Sequence, residues 1–172
     1  MRRNAFALCA FVILPITLLT ARAAITDAVD VKFDQWMTPS TPAYPHDPAV
    51  APDGSIWYTG QRANVVGRFD PATQQFKEFA LPTPNSGPHG LQADKEGNIW
   101  YTGNAAGLIG KIDPKSGKVT EYKMPNPKAR DPHTIAFLQD GRIFFTVQAG
   151  NFIGSLDPKA PDGAIKQVSK PS

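Results

Sequence analysis

From Pro45 onward the apolar residues fall in short runs separated by turn-forming Gly, Pro, Asn and Asp. The stretch from His89 to Met124 shows the pattern best. His89 to Asp94 predicts one strand, and a Glu96-Gly97-Asn98 turn leads to a second, Ile99 to Thr102, whose aromatic and β-branched residues favour sheet. Gly103 to Gly107 predicts a loop, and Leu108 to Asp113 a third strand. Pro114, Ser116 and Gly117 make the next turn, before a fourth strand from Val119 to Met124. The pairs Trp57-Tyr58, Trp100-Tyr101 and Phe144-Phe145 alternate faces. One member of each pair is expected to pack between sheets, the other against an adjacent sheet or the central axis.

The same cassette occurs three times, from Pro45 to Pro82, from Pro88 to Pro125 and from Pro132 to Val168. His46, His89 and His133 are spaced by 43 and 44 residues, and the turn glycines Gly54, Gly97 and Gly141 keep the same steps. Gly67, Gly110 and Gly154 do so too, inside the third strand of each copy, where they permit a bulge or a close backbone approach. A four-stranded antiparallel unit of about 40–45 residues is a β-propeller blade. A β-sandwich also uses short strands, but does not require one cassette repeated. The expected fold is therefore all-β, an incomplete propeller of about three blades. Val31 to Trp36 resembles the fourth strand of a blade and is expected to form a preceding outer strand; Ile165 to Val168 begins the fourth strand of the last. Propellers close with about four to eight blades, so the reading is a truncated or split propeller, or one that closes by self-association.

Residues 1–23 read as a signal peptide, leaving 24–172 as the partial propeller domain. Arg2 and Arg3 precede an apolar run from Ala5 to Leu19, and Ala21-Arg22-Ala23 is a small-x-small cleavage pattern. The run is short for a helix spanning roughly 30 Å of hydrocarbon, so no stable membrane insertion is expected after cleavage. The location implied is the periplasm or outside the cell. Three of the 18 basic residues (Arg2, Arg3 and Arg22) lie in this leader, which has no acidic residue, so the remainder carries 15 of each sign. The isoelectric point near 9.0 is thus largely a leader effect and gives no reason to expect a nucleic-acid partner. The one cysteine, Cys9, also lies in the leader, so the propeller is expected to be stabilised without disulfides.

In a blade, the connection entering the first strand and the loop after the second share one face. His46, His89 and His133 start first strands, while Gln61, Asn104 and Gln148 follow second strands, so these six are expected to share a ligand-binding face. A group of histidines there suits a transition metal or a base near neutral pH. The alternative is a repeat feature in which each imidazole bonds a neighbouring blade. Asp131 lies two residues before His133, placed to orient its imidazole or help hold a cation; Asp47 beside His46 is a weaker version. No nucleotide loop, serine elbow or paired-cysteine metal motif is present.

The cassette PHGLQADKEGNIWYTG, followed by LIGKIDP and EYKMP, resembles the virginiamycin B lyase (streptogramin lyase) family from about Val31 to Val168. The resemblance implies a seven-bladed propeller and a carbon–oxygen lyase that opens the ester-linked ring of type B streptogramins by elimination, with Mg2+ and a histidine base. It assigns the base to His133 and one metal ligand to Asp131, where the family has glutamate. The family's second acidic ligand falls at Gly60, Gly103 or Val147, none of which can bind magnesium. Two readings follow: a lyase-like enzyme, or a non-catalytic module holding a small molecule, peptide or protein on the histidine face. A sugar-lactone hydrolase is a third, without an evident multi-carboxylate metal site.

Overall fold

The computed structural model describes residues 30–126, 129–160 and 165–168; the leader expected at 1–23 lies outside them. The chain divides into two compact units, Met1–Gln35 and Trp36–Ser172. Of the first, the described residues 30–35 are exposed and form no strand. The outer strand expected over Val31 to Trp36 is therefore not formed. A strand needs a ladder partner for its backbone groups, and no strand precedes it among the described residues.

The second unit contains three antiparallel sheets, each a meander of four consecutive strands. Blade 1 comprises β1 (Pro45–Val50), β2 (Ile56–Gly60), β3 (Val65–Asp70) and β4 (Gln75–Ala80). Blade 2 comprises β5 (Pro88–Ala93), β6 (Ile99–Gly103), β7 (Leu108–Ile112) and β8 (Val119–Lys123). Blade 3 comprises β9 (Pro132–Phe137), β10 (Ile143–Val147), β11 (Phe152–Leu156) and β12 (Ile165–Val168). The first strands β1, β5 and β9 approach one another in succession, which sets the three sheets as blades around one side of an axis. This is the expected incomplete propeller.

Period-two alternation divides the apolar side chains between two cores. Ile99 and Tyr101 of β6 pack toward blade 1 with Trp57, Val66, Phe79, Leu91 and Leu108. Trp100, between them in sequence, points the other way and packs with Ile109, Ile135, Ile143, Phe145 and Leu156 of blades 2 and 3. Trp57 and Trp100 are each 1% exposed. Burying one such indole supplies about 4–6 kcal/mol of gross hydrophobic stabilisation.

The glycines inside the third strands allow close approach rather than bulges, since β2–β3, β6–β7 and β10–β11 pair in unbroken register. A Cβ on Gly110 would lie 2.0 Å from Cζ of Tyr101. The ring therefore lies across β7 and its hydroxyl donates to Glu121 of β8 at 2.9 Å. Tyr58 reaches Glu78 in the same way at 2.8 Å. Burial, reinforced by the neighbouring carboxylate, pushes both phenols above the ordinary tyrosine range, so they remain neutral donors. Each glutamate also fastens the segment entering its blade: Glu78 accepts from the Ser40 hydroxyl at 2.5 Å, and Glu121 from the Thr83 hydroxyl at 2.6 Å.

A second fastening runs between blades at the histidines. The first strand of every blade is irregular just after its proline, between Pro45 and Pro48, Pro88 and Leu91, and opposite Phe145 and Val147. The threonine of the second strand fills that irregularity. Thr102 Oγ1 accepts from the Gly90 N–H at 2.8 Å and donates to the carbonyl of His133 in blade 3 at 2.7 Å. Thr59 likewise accepts from the Asp47 N–H at 3.2 Å and donates to the carbonyl of His89 at 2.9 Å. Thr146 accepts from the Thr134 N–H at 3.1 Å but is exposed, with no described blade beyond it.

This relay predicts unequal costs for one substitution made at two equivalent positions. Thr102→Val strands a buried donor and acceptor and is expected to lower unfolding stability by about 2–4 kcal/mol. Thr146→Val leaves an N–H that water reaches and is expected to cost less than about 1 kcal/mol. Urea midpoints of the two variants check this; equal losses would contradict the relay.

Candidate functional site

Each Pro-His segment enters its blade from a residue in left-handed conformation, with φ +52° at Tyr44, +59° at Gly87 and +76° at Asp131. The carbonyls of these residues accept from the N–H groups of Gln61, Asn104 and Gln148, at 3.1, 3.1 and 3.3 Å. The loop after each second strand is thereby tied beside the histidine segment of its own blade. The three imidazoles then form a column. His46 and His89 have ring centroids 3.8 Å apart, as do His89 and His133, with tilts of 44° and 46°.

His89, in the middle, is 9% exposed, and its Nδ1 is buried without a hydrogen-bond partner. Burial first, then the neighbouring His133 and His46, holds it below the ordinary histidine range, partly offset by Asp47 and Asp131. Both flanking histidines are more accessible. His46 Nδ1 lies 2.8 Å from Asp47 Oδ1, and His133 Nδ1 lies 3.3 Å from Thr134 Oγ1. One donor atom each from His46, Asp47 and His89 falls within 4.8 Å of the others, so this cluster could chelate a metal ion.

Asp131 is engaged differently. Its carboxylate accepts from the Asn104 amide of blade 2 and, through Oδ2, from the Ala149 N–H at 3.0 Å. It joins the two blades' loops, and its hydrogen bonds go to these groups rather than to His133. The amide of Asn104 also reaches the carbonyl of Pro132 at 3.4 Å. Gln61 and Gln148 take part through their backbones. The residues absent from the sequence reading are the threonines, Thr59 and Thr102, whose hydroxyls set the histidine backbones. The signal available was their recurrence at one position of the cassette, as Thr59, Thr102 and Thr146. A separate groove of about 660 Å3, lined by Gln92, Trp100, Lys111 and Phe137 among others, involves the hairpins of the opposite face and none of the expected site residues.

The profile of the virginiamycin B lyase family matches residues 19–171. The chain belongs to the virginiamycin B lyase family. It is 32% identical to virginiamycin B lyase from Staphylococcus aureus, with a TM-score of 0.73, over 84% of this chain and 46% of that one. A catalytically inactive histidine-to-alanine form of the S. aureus enzyme with quinupristin matches at the same identity and TM-score, over 83% of this chain and 46% of that one. A streptogramin B lyase structure is 29% identical with a TM-score of 0.69, over 78% of this chain and 43% of that one. The chain thus spans less than half the length of these relatives. No curated protein sequence matches it significantly.

The state of His89 carries a pH dependence. Its folded form binds protons less readily than the unfolded chain, where histidine titrates near 6.5, about the free value. Stability is therefore complete above that pH and declines as pH falls through and below it. Metal-free protein is expected to lose urea resistance between about pH 7.5 and 5.5, and His89→Gln to flatten that slope. An unchanged slope in the variant would rule out His89 as its source.

Proposed function

We propose that this chain is a streptogramin-lyase-like propeller that binds a cyclic ester ligand across the face bearing His46, His89 and His133, with His133 as the base for ring opening. Support comes chiefly from the imidazole column, which places an accessible histidine at the end of a buried one. In the reaction, the His133 imidazole takes a carbon-bound proton beside the ester-bearing carbon. The released electron pair forms a carbon–carbon double bond, and the C–O bond breaks with its pair passing to the carboxylate. The loops carrying Gln61, Asn104 and Gln148 lie beside the histidine segments, and the side chains of Gln61 and Gln148 are suited to hold the polar edge of a ring. The leader pattern in residues 1–23 supports action in the periplasm or outside the cell.

Magnesium does not fit the positions the family resemblance assigns. The ion requires several hard oxygen ligands in near-octahedral geometry. Of the positions assigned to the ion only Asp131 is acidic, since residues 60, 103 and 147 are Gly, Gly and Val. No step is derived through that ion. The same observation favours a second reading, in which the face binds a ligand or protein without turnover.

Quinupristin, the ligand in the related S. aureus structure, is the direct probe. The expected result is binding followed by opening to a product of unchanged mass, because elimination adds no water. His133→Ala is expected to slow opening by about 100-fold or more. Binding without a product supports the second reading, and a product heavier by one water would replace elimination with hydrolysis. Absence of both binding and product would overturn the lyase-like reading.

A further inference from the structure

We infer that His46, Asp47 and His89 form a transition-metal site of the zinc type, built between blades 1 and 2 and separate from Asp131 and His133. The inference does not rest on the lyase reading. A tetrahedral site with bonds of about 2.0–2.2 Å needs donors roughly 3.4 Å apart. The three donors here lie within 4.8 Å, so modest side-chain rotation closes the set.

Several features show these residues to be more than neighbours by chance. One buried hydroxyl holds the backbone of two of the three, since Thr59 Oγ1 binds both the Asp47 N–H and the His89 carbonyl. Asp47 in turn orients the His46 ring. The Nδ1 of His89 is buried without a partner, an arrangement that costs stability unless the ring acquires one. The side chains of His46 and Asp47 are 42% and 36% exposed, which leaves the cluster an entry path.

The repeat supplies a further argument. The position after each Pro-His is Asp47 in blade 1, Gly90 in blade 2 and Thr134 in blade 3. Histidine stacking recurs in all three blades, whereas the carboxylate occurs in one. The cluster is therefore a departure from the blade pattern, not a consequence of it. Two imidazoles and a carboxylate suit Zn2+, Co2+, Ni2+ or Cu2+, and are poor partners for Mg2+. Three protein ligands also leave a fourth position for water or an anionic group.

Titration calorimetry of the untagged, EDTA-treated full chain with Zn2+ tests the site. The expected result is saturation at one ion per chain, with Mg2+ giving no competing heat. His46→Ala and Asp47→Asn, both at accessible positions, are expected to weaken zinc binding by about 10–100-fold. Co2+ should give the visible absorption of a four-coordinate site in the parent chain and lose it in Asp47→Asn. The proposal is overturned by the lack of saturable binding, by isotherms unchanged in both variants, or by binding that survives Asp47→Asn and is lost in Asp131→Asn. Failure of quinupristin opening leaves every one of these readings intact, so the two conclusions stand or fall separately.

Discussion

Where the first strand of a blade departs from regular pairing, an N–H loses its ladder partner while the next blade brings a histidine carbonyl alongside. One threonine hydroxyl satisfies both groups, at Thr59 and again at Thr102, where each side chain is fully buried. Apolar packing can press two blades together at many offsets, because it is not directional. A hydroxyl with one fixed donor and one fixed acceptor admits a single offset. That offset stacks the imidazoles and gathers Asp47 with two histidines.

The approach is close enough to constrain composition. A Cβ on Gly90 would lie 2.1 Å from the carbonyl oxygen of His133, so a side chain there forces the blades apart. Farther out, Tyr58 and Tyr101 span three strands to reach Glu78 and Glu121. Blade 3 carries Phe145 at the tyrosine position and Gln167 opposite Gly154, where the other blades have glutamate. Its outer strand is therefore joined by its ladder without the phenol–carboxylate link.

The repeat made the blade architecture legible, because spacing, turn glycines and paired aromatics moved together. The gathering of His46, His89 and His133 on one face followed from topology alone. Other features depended on information that a one-dimensional pattern lacks. Val31 to Trp36 has the composition of an outer strand, but pairing needs a neighbour that no composition supplies. Asp131 looked aligned with His133 because they are two residues apart, while its left-handed backbone accompanies bonds to Asn104 and Ala149. Threonine in a β-rich run reads as an ordinary strand residue. Its bridging role emerges only when the adjacent blade is in place, and the Asp47–His89 proximity depends on that same contact.

Each blade interface has a direction: a threonine hydroxyl on one side and a histidine carbonyl on the other. The interface is therefore heterologous, with a head and a tail. Thr146 presents the hydroxyl end on blade 3, and the carbonyl of His46 is the equivalent acceptor on blade 1. A two-fold dimer through blade 3 would set hydroxyl against hydroxyl and leave the carbonyl out of the contact. Addition in which Thr146 meets another Pro-His strand repeats the existing rule. The order of the blades is thus directional, each threonine hydroxyl meeting the histidine carbonyl of the next blade.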